Sequence, residues 1–224
     1  MTEPDRRRAR ELARESRQRG DPTGWFETLY REAQGDPGAI PWADLAPHPL
    51  LEAWLAAHAP PAGTRAVVVG CGLGDDALAL ARRGLSVSAF DLSPTAIAWC
   101  RARHADAAIE WRVHDLLEPP PPGWAAGFGL VCEAHTLQSL PAELRGRAAA
   151  AVAALVAPGG ALLVICRARP DGSAEPPDPP WPLSPAELRA WFGAAGLSEE
   201  SLEERREPGE DPPVARLVGT WRGP

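Results

Sequence analysis

The sequence has no lysine and no asparagine: all 23 basic residues are arginine. Without lysine there is no amine for a Schiff base, for a pyridoxal cofactor or for the phosphate-gripping position of a P-loop. Cysteine is sparse. Cys71, Cys100, Cys132 and Cys166 are the four in 224 residues, and none falls in a Cys-x-x-Cys pair. Such usage excludes a disulfide-built scaffold and suits a reducing cytosol, so a cytoplasmic location is expected. No long apolar run is present, so no membrane span is expected. Positive charge is also short: the net charge is −7, with no basic patch, which argues against a nucleic-acid partner. His48, His58, His104 and His114 lack ligand spacing, so no metal is expected. The N-terminus is rich in arginine but holds Glu3, Asp5, Glu11 and Glu15 and no apolar stretch, so neither a secretory signal nor a transit peptide is expected.

What is present begins at Ala66-Val67-Val68-Val69-Gly70-Cys71-Gly72-Leu73-Gly74-Asp75-Asp76. This reads as a buried strand, a glycine turn and a helix start. Gly70 and Gly72 let the backbone turn sharply and approach a ligand without a Cβ in the way, and Gly74 lets the following helix pack close. A second strand then ends at Phe90-Asp91-Leu92-Ser93. Asp91 follows Gly70 at the spacing of a carboxylate that takes the two hydroxyls of a ribose. An adenosine-containing cofactor is therefore expected.

Asp75 and Asp76 bear on which one. They stand at the helix N-terminus, where a dinucleotide places its pyrophosphate. Two carboxylates there repel a diphosphate and suit a cation, so S-adenosylmethionine, with a sulfonium and no phosphate, fits better than NAD. The pair also complements the helix dipole whatever the ligand. A nicotinamide-dependent oxidoreductase is the alternative these two residues argue against.

GCGLGDDA followed by FDLSPTAI resembles motif I and the acidic strand after it in class I methyltransferases. The likeness runs over residues 22–221. Ile40-Pro41-Trp42-Ala43-Asp44-Leu45-Ala46-Pro47-His48-Pro49-Leu50 is similar to the PWD segment of the thiopurine, thiol and halide methyltransferases, with Ala43 where that group carries Asp. Gly24-Trp25-Phe26-Glu27-Thr28-Leu29-Tyr30 resembles the aromatic segment that covers their cofactor. The resemblance implies a Rossmann-like α/β fold: one seven-stranded, mostly parallel sheet of order 3-2-1-4-5-7-6, the last strand antiparallel, with helices on both faces. It also implies a helical cofactor-covering segment over 1–60 and the methyltransferase domain over 61–224. The Asn/Asp-Pro-Pro-Tyr motif of nucleic-acid amino-methyltransferases has no counterpart, since the matching place reads Glu133-Ala134-His135-Thr136.

Strands are expected at Arg65–Val69, Ser86–Phe90, Ile109–Val113, Phe128–Cys132 and Ala161–Cys166, alternating with helices at Asp75–Arg83, Pro94–His104 and Pro141–Leu155. Helices are also expected over 2–19, with Thr2 as a cap, within 21–38, and over Pro49–His58. Ser93 reads as an N-cap ahead of Pro94, and Ser184-Pro185-Ala186-Glu187 as a capping box for the last helix. Two final strands, Ser198–Glu207 and Val214–Trp221, are joined by a hairpin loop at Gly209–Pro213. Residues 169–182, rich in Pro, Asp and Gly, form either a lid or a plain surface connection.

Open α/β sheets bind ligands beyond the carboxyl ends of their strands. The cofactor site expected there comprises Gly70, Cys71, Gly72, Gly74, Asp75, Asp91, Leu92, Ser93 and Glu133. By resemblance, Asp115 takes the adenine amino group, Leu116 donates its backbone N–H and Leu92 packs on the adenine face. Trp25 and Trp42 join the cofactor, or simply pack a helix on the sheet. Trp25, Phe26, Tyr30, Trp42, His135 and Arg167 are the expected acceptor contacts. Arg167 could meet an acidic substrate, while Arg169 reads as a solvated loop charge. His135 is the candidate general base, or else a pocket-lining histidine. The expected activity is in-line methyl transfer to a small molecule, a thiol or other soft nucleophile first. The alternatives are an oxygen or nitrogen acceptor, or binding of S-adenosylmethionine without catalysis.

Overall fold

The computed structural model describes residues 3–207 and 214–224, without the side chains of residues 3–5 and 207. The Thr2 cap and the hairpin loop expected at Gly209–Pro213 lie outside the described residues. Three helices precede the sheet: α1 (Glu3–Gln18), α2 (Trp25–Glu32) and α3 (Pro49–His58). Then follow β1 (Arg65–Val69), α4 (Asp75–Arg82), β2 (Ser86–Asp91), α5 (Pro94–Arg103), β3 (Ile109–Val113), β4 (Phe128–Ala134), α6 (Ala142–Ala153), β5 (Val156–Arg167), α7 (Pro185–Ala194), β6 (Ser198–Glu207) and β7 (Val214–Arg222). Among the described residues no helix is long and apolar enough to cross a membrane.

The seven strands lie in the order β3-β2-β1-β4-β5-β7-β6. The five strands β1 to β5 pair in parallel, and β7 runs antiparallel to both β5 and β6. In β1 the side chains alternate between faces, as strand geometry requires. Val67 and Val69 join the core under α6 and α7, while Ala66 and Val68 join the core under α3, α4 and α5. Covered on both faces, β1 reads as a continuous apolar run. The α1 and α2 segment has its own cluster, centred on Leu12, Trp25, Leu29 and Tyr30, which meets α5 at Ala96.

β5 begins earlier than its apolar run suggests. Val156 pairs with Phe128 and Ala161 with Leu130, so residues 157–160 bulge out of register within the strand. At Gly160 a Cβ would lie 2.8 Å from the Phe128 carbonyl oxygen, so this glycine serves close backbone approach. The capping box at Ser184 forms as expected: Ser184 Oγ accepts from Glu187 N–H and Glu187 accepts from Ser184 N–H.

The glycine turn between β1 and α4 is left-handed at Gly70, Gly72 and Gly74. At Gly74 (φ +84°) an added Cβ would stand 2.5 Å from the Trp111 ring on β3 and 3.1 Å from Cys100 Sγ on α5. Gly74→Ala therefore combines an unfavourable backbone with an overpacked contact, and should cost about 2–5 kcal/mol of stability. Urea denaturation measures this; an unchanged midpoint would mean that the Trp111 ring yields freely.

Candidate active site

A cavity of about 350 Å³ opens at the carboxyl ends of β1, β2, β4 and β5. Its floor is the glycine turn. The buried carboxylate of Asp91 accepts from Gly72 N–H at 3.0 Å through Oδ2, and from Ser93 N–H at 2.9 Å through Oδ1. Each oxygen keeps a lone pair for a further donor. Burial is the main influence on this carboxyl and pushes it up to about 6, against which the backbone donors act. Leu92, Asp115 and Leu116 line the same side of the cavity, and Asp115 accepts from Leu117 N–H at 2.8 Å.

Facing the turn is an aromatic wall from α2 and the segment after it. Trp25 stacks on Phe26 with centroids 4.0 Å apart, and Trp42 meets Trp25 edge-on at 5.9 Å. The Trp42 indole N–H donates to the buried Tyr30 hydroxyl at 2.9 Å. A Cβ on Gly72 would lie 3.4 Å from that hydroxyl and 3.8 Å from Trp42, so the glycine keeps the space between turn and wall clear. All four aromatic residues expected at the site come together here.

Where β4 and β5 end, and on the facing part of β7, lie Ala134, His135, Gln138, Arg167 and Arg216. His135 continues β4, its N–H donating to Ile165 O at 2.9 Å, and then takes a left-handed conformation (φ +68°). Its Nδ1 is sealed from solvent and has no partner. Desolvation, followed by the charges of His48, Arg216 and Arg167, holds the ring well below the usual histidine range, so it is neutral at pH 7. Gln138 takes the Arg167 N–H through Oε1, and it acts on the His135 ring in the direction that favours its proton, against the larger effects.

Several expectations need correction. Glu133 does not line the cavity: its Oε1 accepts from Leu137 N–H at 2.9 Å, and Oε2 is buried without a partner. Ser93 is also set back, its Oγ capping α5 at Ala96 N–H (3.0 Å) and donating to Glu27 (2.6 Å). Asp75 lines the cavity but is paired with Arg103 at 3.0 Å, so most of its charge is already met. Asp76 accepts from His48 N–H at 2.7 Å and so anchors the Pro41–His48 segment on α4. Burial lifts it to about 6. Charge repulsion of a diphosphate is thus weaker than the bare sequence suggests. Arg169 is not a solvated charge: it pairs with Glu187 at 2.8 Å and Glu175 at 3.3 Å. The fully buried Arg145 also pairs with Glu175. These pairs pin residues 169–182, which bring Pro179 and Pro180 to the cavity and Asp178 to Arg14 of α1. Residues missed from sequence include Gln138, Arg216, Arg6 and Arg10, contributed by a loop, an edge-side strand and α1. No local motif marks them.

Residues 66–160 match the family model described as a methyltransferase domain. A ubiquinone biosynthesis O-methyltransferase of Xylella fastidiosa is 29% identical over 183 residues, 71% of each chain. A solved structure concerned with conversion of a disulfide bond into a thioacetal group during echinomycin biosynthesis is 26% identical. It has a TM-score of 0.71 and covers 88% of this chain and 90% of its own. The 1,6-didemethyltoxoflavin-N1-methyltransferase of Burkholderia thailandensis, with bound substrate and S-adenosylhomocysteine, is 20% identical with a TM-score of 0.69, covering 88% and 85%. The sheet order, the glycine turn with its acidic strand end, and the domain match identify the chain as a methyltransferase of the class I fold. Its cofactor is S-adenosylmethionine. The residues present fit that cofactor: spare carboxylate lone pairs at Asp91, a Cβ-free turn at Gly72 and an aromatic wall suited to a sulfonium.

Glu133 gives a test of the site's foundations. Burial raises its carboxyl from the ordinary 4.5 to about 7. The folded protein therefore carries the cost of an ionised buried group fully above about pH 7, and sheds it as pH falls toward 4.5. Glu133→Gln keeps the acceptor for Leu137 N–H. It should stabilise the protein by about 1–3 kcal/mol at pH 8, with the gain shrinking toward pH 5. Chemical denaturation at the two pH values checks this, and an equal gain at both would contradict it.

Proposed function

We propose that the protein methylates a small molecule on an ionisable oxygen, with His135 as the general base. The observation that carries this reading is a neutral histidine lining the cavity just past the end of β4, beside the glycine turn. An alcohol or phenol must lose a proton as it becomes a nucleophile, which a halide or preformed thiolate does not. The name of the Xylella relative, an O-methyltransferase, supports the same reading.

When bound, S-adenosylmethionine supplies a methyl group already activated by its positive sulfur. In this reading Asp91, Leu92, Asp115 and the Gly70–Gly74 turn hold the adenosine part, and residues 1–60 cover it while 61–224 form the catalytic domain. Trp25 and Trp42 face the cation and exclude water. His135 lines the cavity as a neutral ring, the form that can take the acceptor's proton. The remaining requirement is alignment, which the cavity walls provide by holding the acceptor against the turn.

A thiol acceptor is the second reading. The Trp42 segment favours it, as does the sulfur chemistry named for the echinomycin structure. Phenols paired with the corresponding thiophenols, assayed by release of S-adenosylhomocysteine, separate the two. Turnover should favour the phenols, and His135→Ala should lower kcat by about 10²–10⁴-fold with cofactor affinity unchanged. Because His135 is held below its usual range, the acid limb of kcat/KM should fall below pH 6.5. Turnover confined to thiols and indifferent to His135→Ala would favour the second reading instead.

A further inference from the structure

The helix that carries the aromatic wall is tied to α5 by one carboxylate. Glu27 of α2 accepts from Ser93 Oγ at 2.6 Å and from Thr95 N–H at 3.2 Å through Oε2, and from Thr95 Oγ at 2.8 Å through Oε1. Ser93 is the N-cap of α5 and Thr95 its second residue, so a side chain of α2 satisfies donors at the N-terminus of another helix. Negative charge suits that end of a helix. Burial works to raise the Glu27 carboxyl, but the Ser93 and Thr95 donors, with Arg31 one turn on, outweigh it and hold the carboxyl below its ordinary range. Glu27 is therefore ionised at pH 7.

Glu27 does not line the cavity, whereas Trp25, Phe26 and Tyr30, on either side of it in α2, do. Ser93 links the two regions. Its Oγ donates to Glu27, while its N–H donates to Asp91, which in this reading takes the ribose. The Ser93 hydroxyl is buried and already accepts from Ala96 N–H, so Glu27 is the acceptor for its proton. Without Glu27 the apolar cluster that α2 shares with Ala96 remains. Apolar contact is non-directional and fixes the setting of a helix less closely than hydrogen bonds do.

We propose that Glu27 is a positioning residue, setting α2 so that the rings of the aromatic wall meet the sulfonium of the cofactor held at Asp91. The inference rests on the reading of that wall as the part that faces the cation. A cation is held over an aromatic ring only where the ring is close and correctly turned. S-adenosylmethionine carries that cation and S-adenosylhomocysteine does not, while the two share the adenosine and amino-acid parts. A displaced wall therefore weakens the first ligand more than the second. Loss of the α5 cap alone acts through Ser93 and Asp91 on the parts they share, and weakens both alike.

Calorimetric titration of the chain with each ligand, in the absence of acceptor, reads the difference. In Glu27→Ala, affinity for S-adenosylmethionine should fall about 3–10-fold further than affinity for S-adenosylhomocysteine. Glu27→Gln keeps an amide oxygen for Thr95 and should fall between the parent and Glu27→Ala; it carries the test should circular dichroism show Glu27→Ala unfolded. The inference is overturned if the folded variants weaken both ligands equally, or neither. Trp25→Ala and Trp42→Ala separate that failure from failure of the reading beneath it. If a tryptophan variant shifts the balance and the Glu27 variants do not, the wall faces the cation without help from Glu27. If none of the four shifts it, the wall does not face the cation, and reading and inference fall together.

Discussion

The carboxylate of Asp91 is the joint on which the site depends. It ends β2, and each of its two oxygens takes one N–H from another piece of chain, Gly72 in the turn after β1 and Ser93 at the start of α5. A buried carboxylate with fewer donors would protonate or draw in water. With these two it fixes the left-handed turn against the neighbouring strand. The link then runs outward. Ser93 caps α5 and donates to Glu27, and Thr95 donates to the same carboxylate at 2.8 Å. Glu27 lies on α2, which carries Trp25, Phe26 and Tyr30. One buried acid thereby sets the floor of the cavity and, two contacts on, its aromatic wall.

The rest of the cavity is held by struts that look like surface charge in the sequence. Asp76 fixes the segment that carries Trp42, through His48 N–H. Arg145 and Arg169, shared between Glu175 and Glu187, hold the 169–182 connection beside the cavity. These pairs are wholly or partly buried, so removing one partner leaves an uncompensated charge, a larger effect than losing an exposed pair. The connection is therefore tied down at several points, including α1 through Arg14 and Asp178.

The sheet was legible because its signals are local. β1, β3 and α3 fall at the expected residues, since apolar runs bounded by turn residues leave little choice. The glycine turn and Asp91 were legible because a tight turn and a strand-end acid each demand a residue type. β5 was misjudged at its start because Pro158-Gly159-Gly160 reads as punctuation, whereas tertiary pairing with β4 draws it in as a bulge. Glu133 and Ser93 were assigned to the cofactor from their positions at strand ends; one side chain turns under the loop after β4 and the other into a helix cap. Arg216 was invisible, since its partnership with Arg167 follows from the register of β5 and β7, which no local pattern encodes.

The central claim is that Asp91 both closes the turn and receives the cofactor. Calorimetric titration of S-adenosylmethionine into the parent and into Asp91→Ala at pH 7.5 tests it most directly, with circular dichroism confirming that the variant is folded. Loss of hydrogen bonds to a charged group should weaken binding by about 1.5–3 kcal/mol, or roughly 10–150-fold. A folded Asp91→Ala that binds S-adenosylmethionine as tightly as the parent would contradict the account.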